Sequence, residues 1–427
     1  MIDINLIRSN PEKVKASLKK KLWDTDFTEL LKWDEERKEK LKFVEDGKAE
    51  KNRLSASVPL AKKNGEDISK IFVKVKEIDA KIKDVEIELA EIEKKIHDFL
   101  AELPNIPDDD LLEGGKENNK PLKYVNDKPS FSFKIKDHVE LAESLGLVDY
   151  NRGVKVAGRG AWAYTGLGAQ LEWALVNFFI SEHLKDGYEF ILPPHLLNEE
   201  SGYVAGQFPK FKEDVFWLDG IDPHRFLLPT AETALVNFHR NEILSEDELP
   251  KKYFAYTPCY RREAGSYRTE ERGMIRGYQF NKVEMVQYTK PEDSDAAFEE
   301  LVGKAESLVK KLGLHYRVSK LAAGDISHSM ARTYDIEVYI PSIDIYKEVS
   351  SASNARDYQA RRGMVRYRDK ESGKTRFVHT LNASGLATSR IFPAILEQYQ
   401  QEDGSVIVPE VLRPFMGGVE RIYPKNK

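Results

Sequence analysis

The chain has 427 residues, 41% of them apolar, and a formal net charge of −5. Two or three folded units are expected from that length, and there is no basic excess of the kind that marks most nucleic-acid binders. No run of about 18 apolar residues occurs, so no membrane-spanning helix is expected, and the single cysteine, Cys259, excludes an internal disulfide and a multi-cysteine zinc site. The opening MIDINLIRSNPEKVK carries charges throughout, unlike a secretory signal, and has acidic residues that a transit peptide lacks. A cytoplasmic protein is the expectation.

In chain order, residues 1 to about 24 read as short helices. A charged helix follows from Phe27 to about Leu54, with a weak apolar seam through Leu31, Leu41 and Val44. Ser55 to Gly65, holding Pro59 and the Asn64–Gly65 pair, reads as a turn. Next comes the clearest periodicity in the chain. Ile68, Ile71, Val75, Ile78, Ile82, Val85, Leu89, Ile92, Ile96 and Phe99 recur at alternating spacings of three and four, with Lys, Glu and Asp between them. Such a seam needs a partner helix. The economical solution is an antiparallel hairpin spanning about 27–100, roughly 50 Å long at about 1.5 Å per residue. Lys48, Lys51, Arg53, Lys62 and Lys63 crowd its tip. They suit phosphate contacts, but the residues alone leave open a dimerisation coiled coil, a spacer, or plain solubility.

The expected divisions are an N-terminal domain over 1–102, a linker over 103–130 rich in Pro, Asp, Gly and Asn, and a second domain over 131–427. In the last, strand-like runs (Phe190–Leu192, Phe226–Leu228, Val283–Gln287, Ile336–Ile340, Phe377–Thr380) sit close in sequence beside helices such as Leu167–Leu184. That predicts an α+β fold on a largely antiparallel sheet.

Three segments carry the chemistry. The first is the apolar helix through Leu171–Leu184, followed by Gly187-Tyr188-Glu189-Phe190-Ile191-Leu192-Pro193-Pro194, a strand ended by prolines; taken alone it reads as ordinary core. The second runs Tyr260-Arg261-Arg262-Glu263-Ala264-Gly265-Ser266, then Arg276-Gly277-Tyr278-Gln279-Phe280-Asn281-Lys282-Val283-Glu284. It reads as strand, polar loop, strand. Guanidinium forks on such a frame make bidentate bonds to phosphate oxygens, and an aromatic ring stacks on a base. The bland alternative is a surface ion-pair network. The third, Asn382-Ala383-Ser384-Gly385-Leu386-Ala387-Thr388-Ser389-Arg390, brings small residues and an arginine to the start of a helix, as an anion requires.

In order and spacing, these segments resemble the three signature motifs of class II aminoacyl-tRNA synthetases, and in particular the bacterial type of the seryl-tRNA synthetase family. The likeness extends to MIDINLIRSNPEKV, Gly206–Phe211, Pro229-Thr230-Ala231-Glu232, Thr333–Glu337, Glu348-Val349-Ser350-Ser351-Ala352-Ser353-Asn354, Asp357–Arg362, Glu397–Gly404 and Val408–Pro414. It covers essentially the whole chain.

The resemblance implies a homodimer, braced by the first motif, that makes seryl-adenylate from serine and ATP with Mg²⁺ and then charges tRNA(Ser), and tRNA(Sec) where that exists. It implies that Arg261 meets the α-phosphate, that Arg276 and Arg390 hold the outer phosphates, that Phe280 stacks on adenine with Glu263 beside it, and that Arg262, Val349 and Ser350 complete the ATP site. Arg261 and Arg390 are the expected catalytic residues, acting by charge stabilisation and alignment. Glu348 and Ser351 become the Mg²⁺ ligands, oxygen donors for a hard cation. Thr230, Ala231, Glu232, Arg261, Glu284, Asn382 and Ser384 become the serine site. The arm, with its tip lysines, becomes the grip on the long variable arm of the tRNA. No segment is left over for an editing domain. Ser389 and Ala383 stand where bacterial members usually carry glycine, and His328 lies in a stretch that is usually glycine-rich. Two other readings are a paralogue that loads a carrier protein and a catalytically dead homologue. The first lacks such an arm. The second would have lost Arg261, Glu263, Glu284 or Arg390, and all four are present.

Overall fold

The computed structural model describes residues 1–65, 67–263 and 273–425. They divide into two compact units, one of Ile2–Ala16 and Asp24–Leu103, the other of Met1, Ser17–Trp23 and the chain from Pro104 onward. Among the described residues no helix is long and apolar enough to cross a membrane.

The first unit begins with α1 (Ile4–Ser9), whose N-cap Asp3 accepts from the Asn5 amide at 2.8 Å, and with α2 (Pro11–Lys20) as far as Ala16, the last turn being counted in the second unit. Two long helices follow, α3 (Thr28–Lys63) and α4 (Ser69–Glu102), paired as the expected hairpin. All ten residues of the α4 seam are buried or half-buried. Gly47 of α3 sits where a Cβ would come within 3.1 Å of Ile82, so a small residue lets the two backbones approach. Two expectations about α3 are corrected. The turn does not begin at Ser55, because the helix runs on through Pro59 to Lys63. A proline removes one amide donor, and Ala56, Leu60, Ala61, Lys62 and Lys63 around it are good helix formers. The seam does not pass through Leu41, which is exposed; the buried positions are Phe27, Leu30, Asp34, Val44 and Ala61. Asp34 is tolerated there because Arg8 of α1 donates to it, Nη2 to Oδ1, at 2.6 Å.

The second unit is built on eight strands: β1 (Lys120–Val125), β2 (Glu189–Ile191), β3 (Lys251–Tyr260), β4 (Gln279–Thr289), β5 (Tyr316–Lys320), β6 (Arg332–Ile340), β7 (Ile345–Arg356) and β8 (His379–Ala387). Their order across the sheet is β1-β5-β6-β7-β8-β4-β3-β2. Every pair is antiparallel except the edge pair β2–β3. Lys120–Val125 belongs to the stretch read as linker. Its Gly/Asn/Lys surroundings hide a short edge strand, the one place in a sheet where Pro121 costs little. Phe226–Leu228 forms its strand, Arg225–Leu227, in a separate three-stranded sheet, and Phe377–Thr380 is split between a small sheet and β8.

One face of the large sheet carries α5 (Leu167–Lys185), α7 (Ser294–Lys311) and α8 (Thr388–Gln398); α6 (Ala231–Leu235) packs on the other. Leu171, Leu175, Phe179, Phe298, Leu301, Ile391 and Ile395 meet Val283, Met285, Leu381 and Ala383 in the main core. Val286 and Tyr288 meet Ala231, Leu235, Ala360 and Tyr367 on the opposite face. Because strand residues alternate, β4 therefore presents Phe280, Lys282 and Glu284 on the α6 side. This alternation positions the site.

Candidate active site

Cross-strand partners share a face, so the pairing of Glu284 with Ser384 and of Val286 with Asn382 puts Ser384 and Asn382 beside Glu284. A bulge does the same work on β7. Glu348 pairs with Glu337 and Ser351 with Asp335, leaving Val349 as the extra residue. Glu348 and Ser351, three apart, thereby face the same side as Asp335 and Glu337, two apart. Val349 and Ser350 turn to the core side: Val349 is 2% exposed, and the Ser350 hydroxyl donates to the Ser384 carbonyl at 2.6 Å. Their side chains are thus engaged elsewhere, and what they offer a ligand is main chain.

These faces line an open cleft of about 490 Å³, bounded by Arg261, Glu263, Arg276, Phe280, Lys282, Glu348, Val349, Ser384, Ser389 and Arg390 among others. At one end, Arg276 is ion-paired with Glu263, which sits in the left-handed region at φ 51°. The Arg261 guanidinium lies 5.1 Å from the centroid of the Phe280 ring, and its Nε donates to the Pro229 carbonyl at 3.3 Å. Arg390 donates to the Glu348 carbonyl at 2.8 Å, with the Glu348 carboxylate 3.4 Å away. Ser389 lies inside the first turn of α8 and is absent from the residues with positive φ. Arg262 points elsewhere: its amide and guanidinium donate to the Asp214 and Glu213 carbonyls, at 3.0 and 3.1 Å. Ala264–Ser266 of the second motif lie outside the described residues.

At the other end is a buried polar nest. Glu284 is 2% exposed. Thr230, which N-caps α6, donates to it at 3.4 Å, and Ser384 does so at 3.5 Å. Lys282 is ion-paired with Glu284 and donates to the Thr230 hydroxyl at 2.8 Å. Glu232 accepts from Gln359 at 2.8 Å, and Gln359 in turn accepts from Thr380 at 2.6 Å. Burial and the neighbouring Glu284 charge raise the Glu232 carboxyl to about 7. The Asn382 Oδ1 is buried without a hydrogen-bond partner among the described residues, as befits a group that receives a ligand. Ala231 is fully buried in α6.

The structure therefore brings Arg261, Glu263, Arg276, Phe280, Glu348, Ser384 and Arg390 to one cleft, gathers Thr230 and Glu284 beside Ser384, and turns Arg262 and the side chains of Ala231, Val349 and Ser350 away. It adds Lys282, Gln359 and Asp335, to which the sequence reading assigns no role. Lys282 is legible in principle: a strand that exposes Phe280 and Glu284 to a ligand also exposes the residue between them. Asp335 lies across from Ser351, with its Oδ1 buried and without a hydrogen-bond partner among the described residues; burial and the Glu348 charge push its carboxyl up. Among the described residues no group of three or more His, Cys, Asp or Glu is placed to hold a metal. Glu348 and Ser351 instead offer a hard cation one carboxylate and one hydroxyl, a partial donor set that a polyphosphate would complete.

Of the arm residues, Lys48 pairs with Glu86 at 2.7 Å, Lys51 with Asp79 at 2.5 Å and Arg53 with Glu50 at 2.5 Å. Lys62 and Lys63 stand exposed at the hairpin tip. His328, the departure in the loop 326–330, packs edge-on against Trp23 at 5.5 Å. Lys21 donates to the carbonyls of Ser327, His328 and Met330 at 2.8, 3.0 and 2.8 Å, so that loop is a structural corner.

An antiparallel sheet whose cleft is lined by three arginines, a phenylalanine ring and the start of a helix has the frame of the class II aminoacyl-tRNA synthetase catalytic core. Residues 216–399 match the family model for the tRNA synthetase class II core domain (G, H, P, S and T). Residues 1–107 match that for the seryl-tRNA synthetase N-terminal domain. The chain is 63% identical over 421 residues to serine–tRNA ligase 2 of Clostridium acetobutylicum, covering 98% of this chain and 99% of that one. It is 46% identical to the serine–tRNA ligase of Thermodesulfovibrio yellowstonii, again covering 98% and 99%. Among solved structures, the seryl-tRNA synthetase of Pyrococcus horikoshii complexed with ATP superposes with a TM-score of 0.91 at 35% identity, over 100% of both chains. The chain belongs to the seryl-tRNA synthetase family.

Proposed function

We propose that the chain activates L-serine with ATP to seryl-adenylate, releasing pyrophosphate, and transfers the serine to the 3′ end of tRNA(Ser), and of tRNA(Sec) where that is present. The observation that carries this reading is the two-ended cleft. Arg261, Arg276 and Arg390 surround one end, and the other holds a buried carboxylate, Glu284, between the hydroxyls of Thr230 and Ser384.

Arg261 would stabilise charge on the α-phosphate as the serine carboxylate attacks. Arg276 and Arg390 would hold the outer phosphates, and Phe280 would stack on adenine once Arg261 turns to phosphate. No general base is needed, because the attacking carboxylate is already ionised. Glu284, Glu232 and Asn382 would receive the serine ammonium and hydroxyl. A site built to pair a hydroxyl rejects alanine by roughly 10⁴-fold without editing. Glu348 and Ser351 would hold Mg²⁺, which neutralises phosphate charge when bound.

Residues 1–102 form the tRNA-binding domain in this reading, with 131–427 catalytic. Lys62 and Lys63 are the first candidates for phosphate contact on the tRNA; Lys48, Lys51 and Arg53 must first leave their carboxylates. The active form is a cytoplasmic homodimer joined through 167–194. Serine-dependent ATP–pyrophosphate exchange, followed by charging of tRNA(Ser), tests the whole reading. Exchange with another amino acid and none with serine would overturn it.

A further inference from the structure

Lys282 is 6% exposed and lies in the serine end of the cleft, two residues before Glu284 on β4 and on the same face. It is ion-paired with Glu284, and the Thr230 hydroxyl accepts from it at 2.8 Å while donating to Glu284 at 3.4 Å. A buried cation beside a buried anion at a cleft is the complement of a zwitterion. A free amino acid is such a zwitterion, and it brings one ammonium and one carboxylate. In the reading above its ammonium meets Glu284, with Glu232 beside it held protonated up to about pH 7. Lys282 would then share that carboxylate with a second cation, an arrangement that like-charge repulsion in a poorly solvated site disfavours. The charge that restores the balance arrives on the same ligand.

The geometry points to Lys282 as a further substrate-binding residue: its ammonium leaves Glu284 when serine enters and takes up the serine carboxylate. The exchange keeps both buried charges paired before and after binding, so neither is left desolvated and alone. It also sets the substrate between fixed charges of opposite sign, which places the carboxylate at the end of the site nearer Arg261. Lys282 therefore selects for a free α-carboxylate, a property that neither Glu284 nor the hydroxyls of Thr230 and Ser384 can supply. The inference rests on the ammonium lying at Glu284.

The test compares the affinities of serine and of serinamide, which keeps the ammonium and hydroxyl but lacks the carboxylate, by calorimetry on the full-length protein with ATP binding as the check of folding. Lys282→Met should lower the ratio of serine to serinamide affinity by about tenfold to a hundredfold, the worth of a hydrogen bond to a charged group. Lys282→Arg, which keeps the cation, should retain most of the ratio, and it serves if the methionine variant does not bind ATP. Equal losses for the two ligands in Lys282→Met would overturn the inference, because they would mean that Lys282 only props Glu284. Glu284→Gln reads the underlying assignment separately: it should weaken both ligands together, and an unchanged serinamide affinity would remove the ammonium from Glu284 whatever Lys282 does.

Discussion

Glu232 and Glu284 stand close enough for one to alter the other: burial first, and the Glu284 charge second, raise the Glu232 carboxyl from 4.5 to about 7. The fold thus favours the protonated form. Its contribution to stability is present below 4.5 and is lost as pH rises through about 7. An incoming ammonium favours the ionised form, so the sign for binding is the reverse. Serine should bind more tightly as pH rises toward 7 and level off above it. The expected profile of kcat/KM for serine has a slope near one log unit per pH unit below about 7. Calorimetry in buffers of different ionisation enthalpy should record a proton released at acidic pH and none at alkaline pH. A profile flat from about pH 5.5 to 8 would take Glu232 out of the ammonium site.

The arm is tested by removing it. Deleting residues 28–100 should leave serine-dependent pyrophosphate exchange nearly intact and abolish tRNA charging, because every group assigned to ATP or serine lies after residue 229. A narrower version replaces only Lys62 and Lys63 with alanine. For each lysine that holds a phosphate, its removal should flatten the dependence of log affinity for tRNA on log salt by nearly one unit. Efficient charging by the deletion variant would be fatal to this assignment.

How far the sequence carries these readings depends on the kind of signal. The α4 seam is legible because ten apolar residues at one spacing have one physical meaning. The end of α3 is not, because Pro59 and a Gly-containing turn both read as breakers, while only Gly65 ends the helix, with φ 72°. Leu41 takes the place of Asp34 in a sequence reading because a buried aspartate is invisible without Arg8, which comes from a separate helix. In the site, Glu284 and Ser384 can be named from the family pattern. The bulge at Val349, which decides that Glu348 and Ser351 face the cleft and Ser350 does not, depends on the register of two strands. No single-strand pattern contains that.

The proposed dimer has a direct measurement. Leu184, Leu192 and Leu196, and Trp173 on α5, are 53%, 74%, 50% and 53% exposed. An apolar set of this size on one stretch of chain is costly to leave in water. Leu192→Glu touches little within the protomer, so the fold should survive. Light scattering should then move from a dimer to a species near 48.9 kDa, with loss of pyrophosphate exchange. A wild-type protein that is monomeric and active would refute the interface.

Ser389 and Arg390 set a departure expected to be harmless beside a contact expected to be essential. A glycine before the last arginine of the third motif serves either a positive φ or close approach. Ser389 has helical backbone in the first turn of α8 and is 5% exposed. No left-handed strain is therefore stored there, and a serine fits where a small residue is needed. Arg390 is differently placed. It reaches the cleft from the start of α8 and is steadied by the Glu348 carbonyl at 2.8 Å, so its guanidinium is aimed before ATP arrives. Ser389→Gly should change kcat/KM for ATP by less than about fivefold. Arg390→Ala should lower it by at least about a hundredfold, corresponding to about 2.7 kcal/mol of lost transition-state stabilisation. The effect of Arg390→Ala should fall on ATP and leave serine binding to the free enzyme unchanged, since Glu284, Thr230 and Ser384 do not depend on it. A large gain from Ser389→Gly would mean that the serine displaces ATP from its seat. A neutral Arg390→Ala would mean that the outer phosphates lie elsewhere, and the assignment of this helix start to ATP would fall with it.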